Sequence, residues 1–142
     1  MIIGVISDTH GVLDPRVFSV FEGVDHILHA GDIGTEKVIV ELEAIAPVTA
    51  VRGNIDRDEL ARQYPGQRIV QLGGKRLFLT HKPARPKEGC DVVIFGHTHE
   101  AFLDRVRGVL RFNPGSAGRK PRSVGLLEIR EGEVFGKIVT LE

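Results

Sequence analysis

With 142 residues the chain is about one domain long and can bury a sizeable core without staples. Its 42% hydrophobic and 27% charged residues are ordinary for a globular protein, and nineteen basic residues offset nineteen acidic ones. That balance argues against an extended nucleic-acid surface or an anionic-membrane footprint, although a local basic rim is compatible with it. The single cysteine, Cys90, cannot form an internal disulfide, which fits a reducing compartment. The opening apolar run, Met1 to Ile6, lacks a charged leader and is too short to span a bilayer. The reading is a cytoplasmic protein with no membrane association and a single domain over residues 1–142.

In chain order, Ile2 to Ile6 reads as a buried strand. Asp14-Pro15 then opens a helix whose Val17, Val20 and Phe21 share a face. His26 to Ala30 is the next strand. Thr35 caps a second helix with Val38, Leu42 and Ile45 at i, i+4 and i+7, and Pro47 ends it. Val48 to Arg52 is a strand, and Asp56 to Gln63 a short helix closed by Pro65. Gln67 to Leu72 and Lys75 to Thr80 form a hairpin around Gly73-Gly74. Asp91 to Phe95 is a strand buried on both faces. The last third is β-like throughout: Phe102 to Val106, Val109 to Phe112, Ser123 to Ile129 and Val134 to Leu141, with an edge that a second copy could pair with. The expected fold is α/β with α+β character, a four-layer αββα sandwich of two packed mixed β-sheets flanked by helices.

Polar residues of metal-binding type recur just past the C-terminal ends of these strands. Strand one runs into Ser7-Asp8-Thr9-His10, strand two into Gly31-Asp32, and strand three into Gly53-Asn54-Ile55-Asp56. The strand Leu77 to Leu79 runs into Thr80-His81, and Val92 to Phe95 into Gly96-His97-Thr98-His99. Open α/β sheets bind ligands in the crevice outside those ends. In extended backbone, residues i and i+2 share a side, so Asp8 with His10, and His97 with His99, would each face one volume. Gly31, Gly53 and Gly96 precede the ligands and would allow tight turns. Asp8, His10, Asp32, Asn54, His81, His97 and His99 are more donors than one ion takes, but suit two ions sharing a carboxylate. Nitrogen and oxygen donors without thiolate fit manganese, the first choice, or zinc, nickel, iron or magnesium.

These motifs resemble, in order, those of the calcineurin-like metallophosphoesterases. The Gly53-Asn54-Ile55-Asp56 form and Asn113-Pro114-Gly115-Ser116 most resemble the YfcE-like phosphodiesterases of bacteria and archaea. The match spans residues 1 to 116, and the trailing β segments fit the family's second sheet. The resemblance implies that Asp8, His10, Asp32 and His99 hold a first metal ion. Asp32 would bridge to a second, completed by Asn54, His81 and His97. Asp32, Asn54, His81, His97 and His99 would then carry catalysis. Two divalent ions, typically ~3.5–4 Å apart, would clamp a phosphate ester, activate a bridging water and stabilise an in-line displacement. The expected substrate is a small phosphate ester, a diester ahead of a monoester.

The chain departs from the family pattern twice. Larger members carry histidine directly after the motif asparagine, where it serves the leaving group; here that residue is Ile55. After His81, the segment Lys82 to Gly89 is short and holds two prolines, so an irregular loop replaces the crossover helix. Lys82, Arg85 and Lys87 could then line the entrance. The plainer readings are an ordinary polar residue at His29, which could alternatively support a ligand from behind, a helix cap or support at Asp56, a turn or a place beside the site at Asn113 to Ser116, and a solvated loop at Arg119, Lys120 and Arg122. His26 reads as an ordinary polar residue. Two rivals stand against the enzyme reading. One is a scaffold like the retromer subunit of this fold; the other is an amidohydrolase, whose barrel needs about 250 residues.

Overall fold

The computed structural model describes all residues 1–142. Its elements follow the hydrophobic periodicity within about two residues, except that the third helix starts at Glu59 rather than Asp56. They are β1 (Ile2–Ile6), α1 (Arg16–Val20), β2 (His26–His29), α2 (Glu36–Glu43), β3 (Val48–Ala50), α3 (Glu59–Gln63), β4 (Gln67–Leu72) and β5 (Lys75–Thr80). There follow β6 (Val92–Ile94), β7 (Phe102–Val106), β8 (Val109–Asn113), β9 (Ser123–Arg130) and β10 (Glu133–Thr140). Two five-stranded mixed sheets form, ordered β10-β9-β1-β2-β3 and β4-β5-β6-β8-β7. β1, β2 and β3 run parallel in the first sheet, and β5, β6 and β8 in the second. Strand ends of the same sense therefore collect at one edge of each sheet.

Period-two alternation assigns the faces of each strand. From β5, β6 and β8, Leu77, Leu79, Val92, Ile94, Leu110 and Phe112 point inward. They meet Ile3, Val5, Leu28 and Leu127 of the first sheet in a dry core between the sheets. Full burial of each such side chain contributes roughly 1.5–3 kcal/mol. Phe112 packs into a slot made by Gly125 and Gly136, where any Cβ would strike its ring. This contact sets the depth of β8, whose next residue, Asn113, enters the site. On the other face of the first sheet, Ile6, Ile27 and Ala50 receive Val17 of α1, Phe21 just after it, and Val38, Ile39 and Leu42 of α2.

The two-sheet α/β sandwich is the one expected, and its fourth layer is thin. Over the outer face of the second sheet lie Phe78, Cys90, Val93 and Phe95, with Ala84 and Val109 against them and no helix. Residues 82–89 form the anticipated irregular loop. The trailing β segments correct one expectation: only β7 and β8 enter the second sheet. β9 pairs antiparallel with β1, and β10 with β9, so this hairpin extends the first sheet. Parallel β1 leaves an open edge that the eight-residue β9 fills. β7 and β10 each end a sheet, which leaves edges in the last third as anticipated. No helix is long and apolar enough to cross a membrane.

Candidate metal centre

The C-terminal ends of β1, β2, β3, β5, β6 and β8 converge, and the loops leaving them are tied across the two sheets. His81, after β5, places its ring nitrogen Nδ1 2.8 Å from the Ala30 carbonyl oxygen. A carbonyl only accepts, so Nδ1 carries the proton and Nε2 keeps a free lone pair. Nε2 lies 3.3 Å from Asp32 Oδ2 and 3.9 Å from Asp8 Oδ1. The His97 N–H, after β6, donates to Asp8 Oδ2 at 3.1 Å, and Ser7 Oγ–H donates to the same oxygen at 2.7 Å. Oδ1 of Asp8 is thereby left facing the imidazoles, 3.4 Å from His99 Nε2 and 3.9 Å from His10 Nε2.

Two donor groups result: Asp8, His10 and His99, and Asp8, Asp32 and His81. Asp8 belongs to both. Asp32 Oδ2 stands between them, 3.8 Å from His10 Nε2 and 3.3 Å from His81 Nε2. Three buried atoms in this cluster, Asp8 Oδ1, His10 Nε2 and His81 Nε2, have no hydrogen-bond partner. Buried polar atoms are nearly always paired, so three unpartnered atoms converging on one spot fit a cation as their shared partner. The separations also approach the edge of a tetrahedron with bonds of ~2.1 Å, which is about 3.4 Å. The donor set thus fits divalent metal. Asn54 and His97 border the cluster from the solvent side: both are exposed, the His97 ring lies 5.2 Å from that of His81, and Asn54 shares a cavity with His81.

The backbone that aims these side chains is not extended. Asp8, His10, Asp32, His97 and His99 all have left-handed φ angles between 52° and 71°. Each such residue costs on the order of 1 kcal/mol. The i, i+2 argument is corrected accordingly. Asp8 and His10 do meet, but through left-handed turns, and the second pair splits: His99 packs by His10 (ring centroids 5.5 Å) and His97 by His81. The strain is held by bonds to neighbouring loops. Asp8 N–H donates to Gly31 O and His10 N–H to Asp32 O, both at 3.0 Å, while Asp8 O accepts from Ser116 Oγ and Gly118 N–H. Gly53 and Gly96 are needed for space. A Cβ on Gly53 would collide with Asp32, and one on Gly96 with Ser7 Oγ while lying 2.6 Å from Asp8 Oδ2.

Burial alone would raise the Asp32 pKa, but His81, the Ile55 N–H and His10 hold it at about 2, so the carboxylate is ionised. For His81 burial pulls the pKa down, and the facing Asp32 carboxylate, the Ala30 carbonyl and the Asp8 charge together raise it overall.

Several supports were faint or hidden in the sequence. His29 is fully buried; its Nδ1 accepts the Gly31 N–H at 3.1 Å, so Nε2–H donates to Thr9 Oγ1 at 3.0 Å, and Thr9 donates on to Ile33 O. Burial, then the His81 charge, drives its pKa down to about 3, so the ring is neutral. Asp56 is not a helix cap: its carboxylate accepts the N–H groups of Ile33, Gly34 and Gly53 at 2.8–3.1 Å, binding the Asp32 loop to the Asn54 loop. Asn113 is both a turn residue and a neighbour of the site. Its Oδ1 takes the Gly115 N–H, and its Nδ2 donates to Gly96 O and Thr98 Oγ1. His26 only bonds Thr49. Of the expected basic rim, Lys82 lines the cavity beside His81, whereas Lys87 sits over the Phe78 ring on the outer face. Arg119 and Lys120 are exposed, and Arg122 pairs with Glu142.

Comparison with known proteins agrees with this geometry. The chain is 37% identical over 133 residues to a probable metallophosphoesterase of Methanothermobacter thermautotrophicus, covering 82% of this chain and 77% of that protein. It is 32% identical over 155 residues to the phosphodiesterase YfcE of Escherichia coli, covering 86% and 84%. The fold matches Vps29 of Entamoeba histolytica, a single-substitution variant, with a TM-score of 0.77 and 22% identity over all of both chains. That last likeness is one of fold alone. Residues 1–132, from the first strand to the final hairpin turn, match the calcineurin-like phosphoesterase superfamily domain, and the chain belongs to that superfamily.

Proposed function

We propose that this protein is a dinuclear metal-dependent phosphodiesterase forming one domain over residues 1–142. The observation that carries the reading is the convergence of Asp8 Oδ1, His10 Nε2 and His81 Nε2, buried and unpartnered, beside ionised Asp32. In this reading Asp8, His10, Asp32 and His99 hold one ion, and Asp32, Asn54, His81 and His97 the other. Asp8 is placed to contribute to both. The all-nitrogen-and-oxygen donor set favours manganese, with zinc, nickel, iron or magnesium as alternatives. Such a pair of ions supplies Lewis acidity towards the phosphoryl oxygens and a nucleophile at neutral pH. The chain's own residues orient the ester, and the hydrogen bonds of Asp56, His29 and Asn113 hold the donor loops still. The buried Cys90 is in keeping with a reducing cytoplasm.

Two cavities support a diester over a monoester. One of about 370 Å³ includes Asn54 and His81; another of about 420 Å³ includes His99. Each opens on one donor group, giving room for two substituents. No histidine is free to protonate a leaving group. Four belong to the centre, His29 is buried and neutral, and His26 is bonded to Thr49. Turnover should therefore depend steeply on leaving-group pKa across a series of aryl phosphodiesters.

The direct test is hydrolysis of bis(p-nitrophenyl) phosphate and p-nitrophenyl phosphate by metal-stripped protein with manganese, nickel, zinc or magnesium restored. Metal-dependent turnover that favours the diester and vanishes in His99→Ala is the expected result. Preference for the monoester would overturn the diesterase reading. Metal binding without turnover would move the protein to a scaffold role.

A further inference from the structure

The two cavities differ in charge. The one beside His81 is lined by Arg52, Gly53, Asn54, Gly66, Thr80 and Lys82, without an apolar or acidic side chain. Arg52 is fixed in place: its N–H donates to Pro65 O at 2.9 Å, and its Nη1 donates to Tyr64 O at 3.0 Å and Ala61 O at 3.4 Å. Gly66 lies beneath the guanidinium, where a Cβ would come 3.5 Å from Nη2. All of these acceptors are neutral carbonyls. Arg52 and Lys82 have no carboxylate within 4.0 Å, unlike Arg122 of the other cavity. Two uncompensated cations, one held rigid, thus stand next to Asn54 and His81.

The cavity beside His99 lacks that charge. Its one cation, Arg122, is neutralised by Glu142 at 3.2 Å and faces Asp14 at 3.9 Å. The rest of its wall, which includes Glu100, Pro121 and Ile138, holds no unpaired positive group.

Resting on the phosphodiesterase reading, we infer that the substrate is an unsymmetrical diester. One arm carries a second anionic group, a carboxylate or a further phosphate, and is received by Arg52 and Lys82. The other arm is neutral and lies beside His99. Arg52 is the better anchor because its planar fork is already oriented by the Tyr64 and Ala61 carbonyls, so little freedom is lost on binding an oxyanion. Lys82, exposed and with no side-chain hydrogen bond to orient it, adds charge rather than direction.

The test is calorimetric binding of phenyl phosphate and 4-carboxyphenyl phosphate to manganese-loaded protein, beside bis(p-nitrophenyl) phosphate turnover. The carboxylate should tighten binding about tenfold, the scale of one charge-assisted hydrogen bond in a partly solvated site. The gain should shrink as salt rises. Arg52→Met and Lys82→Met should each reduce it. Lys82→Met keeps the test sound if Arg52→Met disturbs α3. Equal affinity for both ligands in the unaltered protein, with diester turnover intact, would overturn the anionic subsite alone. Failure to bind either ligand or to hydrolyse the diester with any metal would overturn the phosphodiesterase reading along with it.

Discussion

Replacing Asp56 tests whether the donor loops are held by hydrogen bonds rather than by metal. Its carboxylate is only 5% exposed, with Oδ2 accepting the N–H groups of Ile33 (3.1 Å) and Gly53 (2.8 Å) and Oδ1 that of Gly34 (3.0 Å). Asp56→Ala leaves three backbone donors without a partner. Hydrogen bonds to a charged group contribute roughly 1.5–3 kcal/mol each, but Gly34 and Gly53 are partly reached by water, which recovers some of that. The expected loss is about 3 kcal/mol. Asp56→Asn keeps one oxygen for Ile33 and Gly53 while turning its NH2 towards the Gly34 N–H, so it should lose about 2 kcal/mol. Urea unfolding of the protein in chelator isolates this term from metal binding. With a slope of ~2 kcal/mol/M, the alanine variant's midpoint should fall by roughly 1.5 M. Metal affinity should also drop, by about 10- to 100-fold, because the Asp32 and Asn54 loops lose their common tie. A midpoint within 0.3 M of the parent, with unchanged metal affinity, would refute the reasoning.

Asp32→Asn should abolish diester turnover, and full activity at limiting metal would show that Asp32 is not the bridge. Asn54→Ala should lower metal content from two ions towards one, read by elemental analysis, with little change in unfolding midpoint because Asn54 is exposed. Gly96→Ala should weaken metal binding at least tenfold, since the added methyl must push Ser7 Oγ off the Asp8 carboxylate; unchanged affinity would mean the turn relaxes freely. His29, buried and neutral with a pKa of about 3, makes the metal-free protein acid-sensitive. Only the unfolded chain takes up this proton between about pH 6.5 and 3, so stability falls as pH drops through that window. The loss is roughly 2 kcal/mol by pH 5. His29→Asn should flatten the pH dependence of the urea midpoint, and parallel slopes would count against the assignment.

The strands, the first two helices and the clustering of the candidate donors Asp8, His10, Asp32, His81 and His99 were legible in the sequence because each depends on a local pattern. Buried strands such as Val92 to Ile94 show as apolar runs, and α2 shows as a 3.6-residue stripe ended by Pro47. The candidate donors stand out because they follow strand ends, and the short proline-rich segment 82–89 already left no room for a helix. What neighbours decide was not legible. Whether β9 and β10 join the first or the second sheet depends on which parallel strand offers an unpaired edge, a question of long-range pairing. The separation of His99, beside His10, from His97, beside His81, depends on left-handed turns that carry no sequence mark, since Asp and His adopt them only when other loops hold them there. Asp56 was visible as a motif residue, yet its work is done on Ile33, Gly34 and Gly53, and three backbone N–H groups look the same in every sequence. The charge of Arg52 was countable from the start. Only the fold shows that it meets neutral carbonyls rather than a carboxylate, and so remains free to meet a ligand.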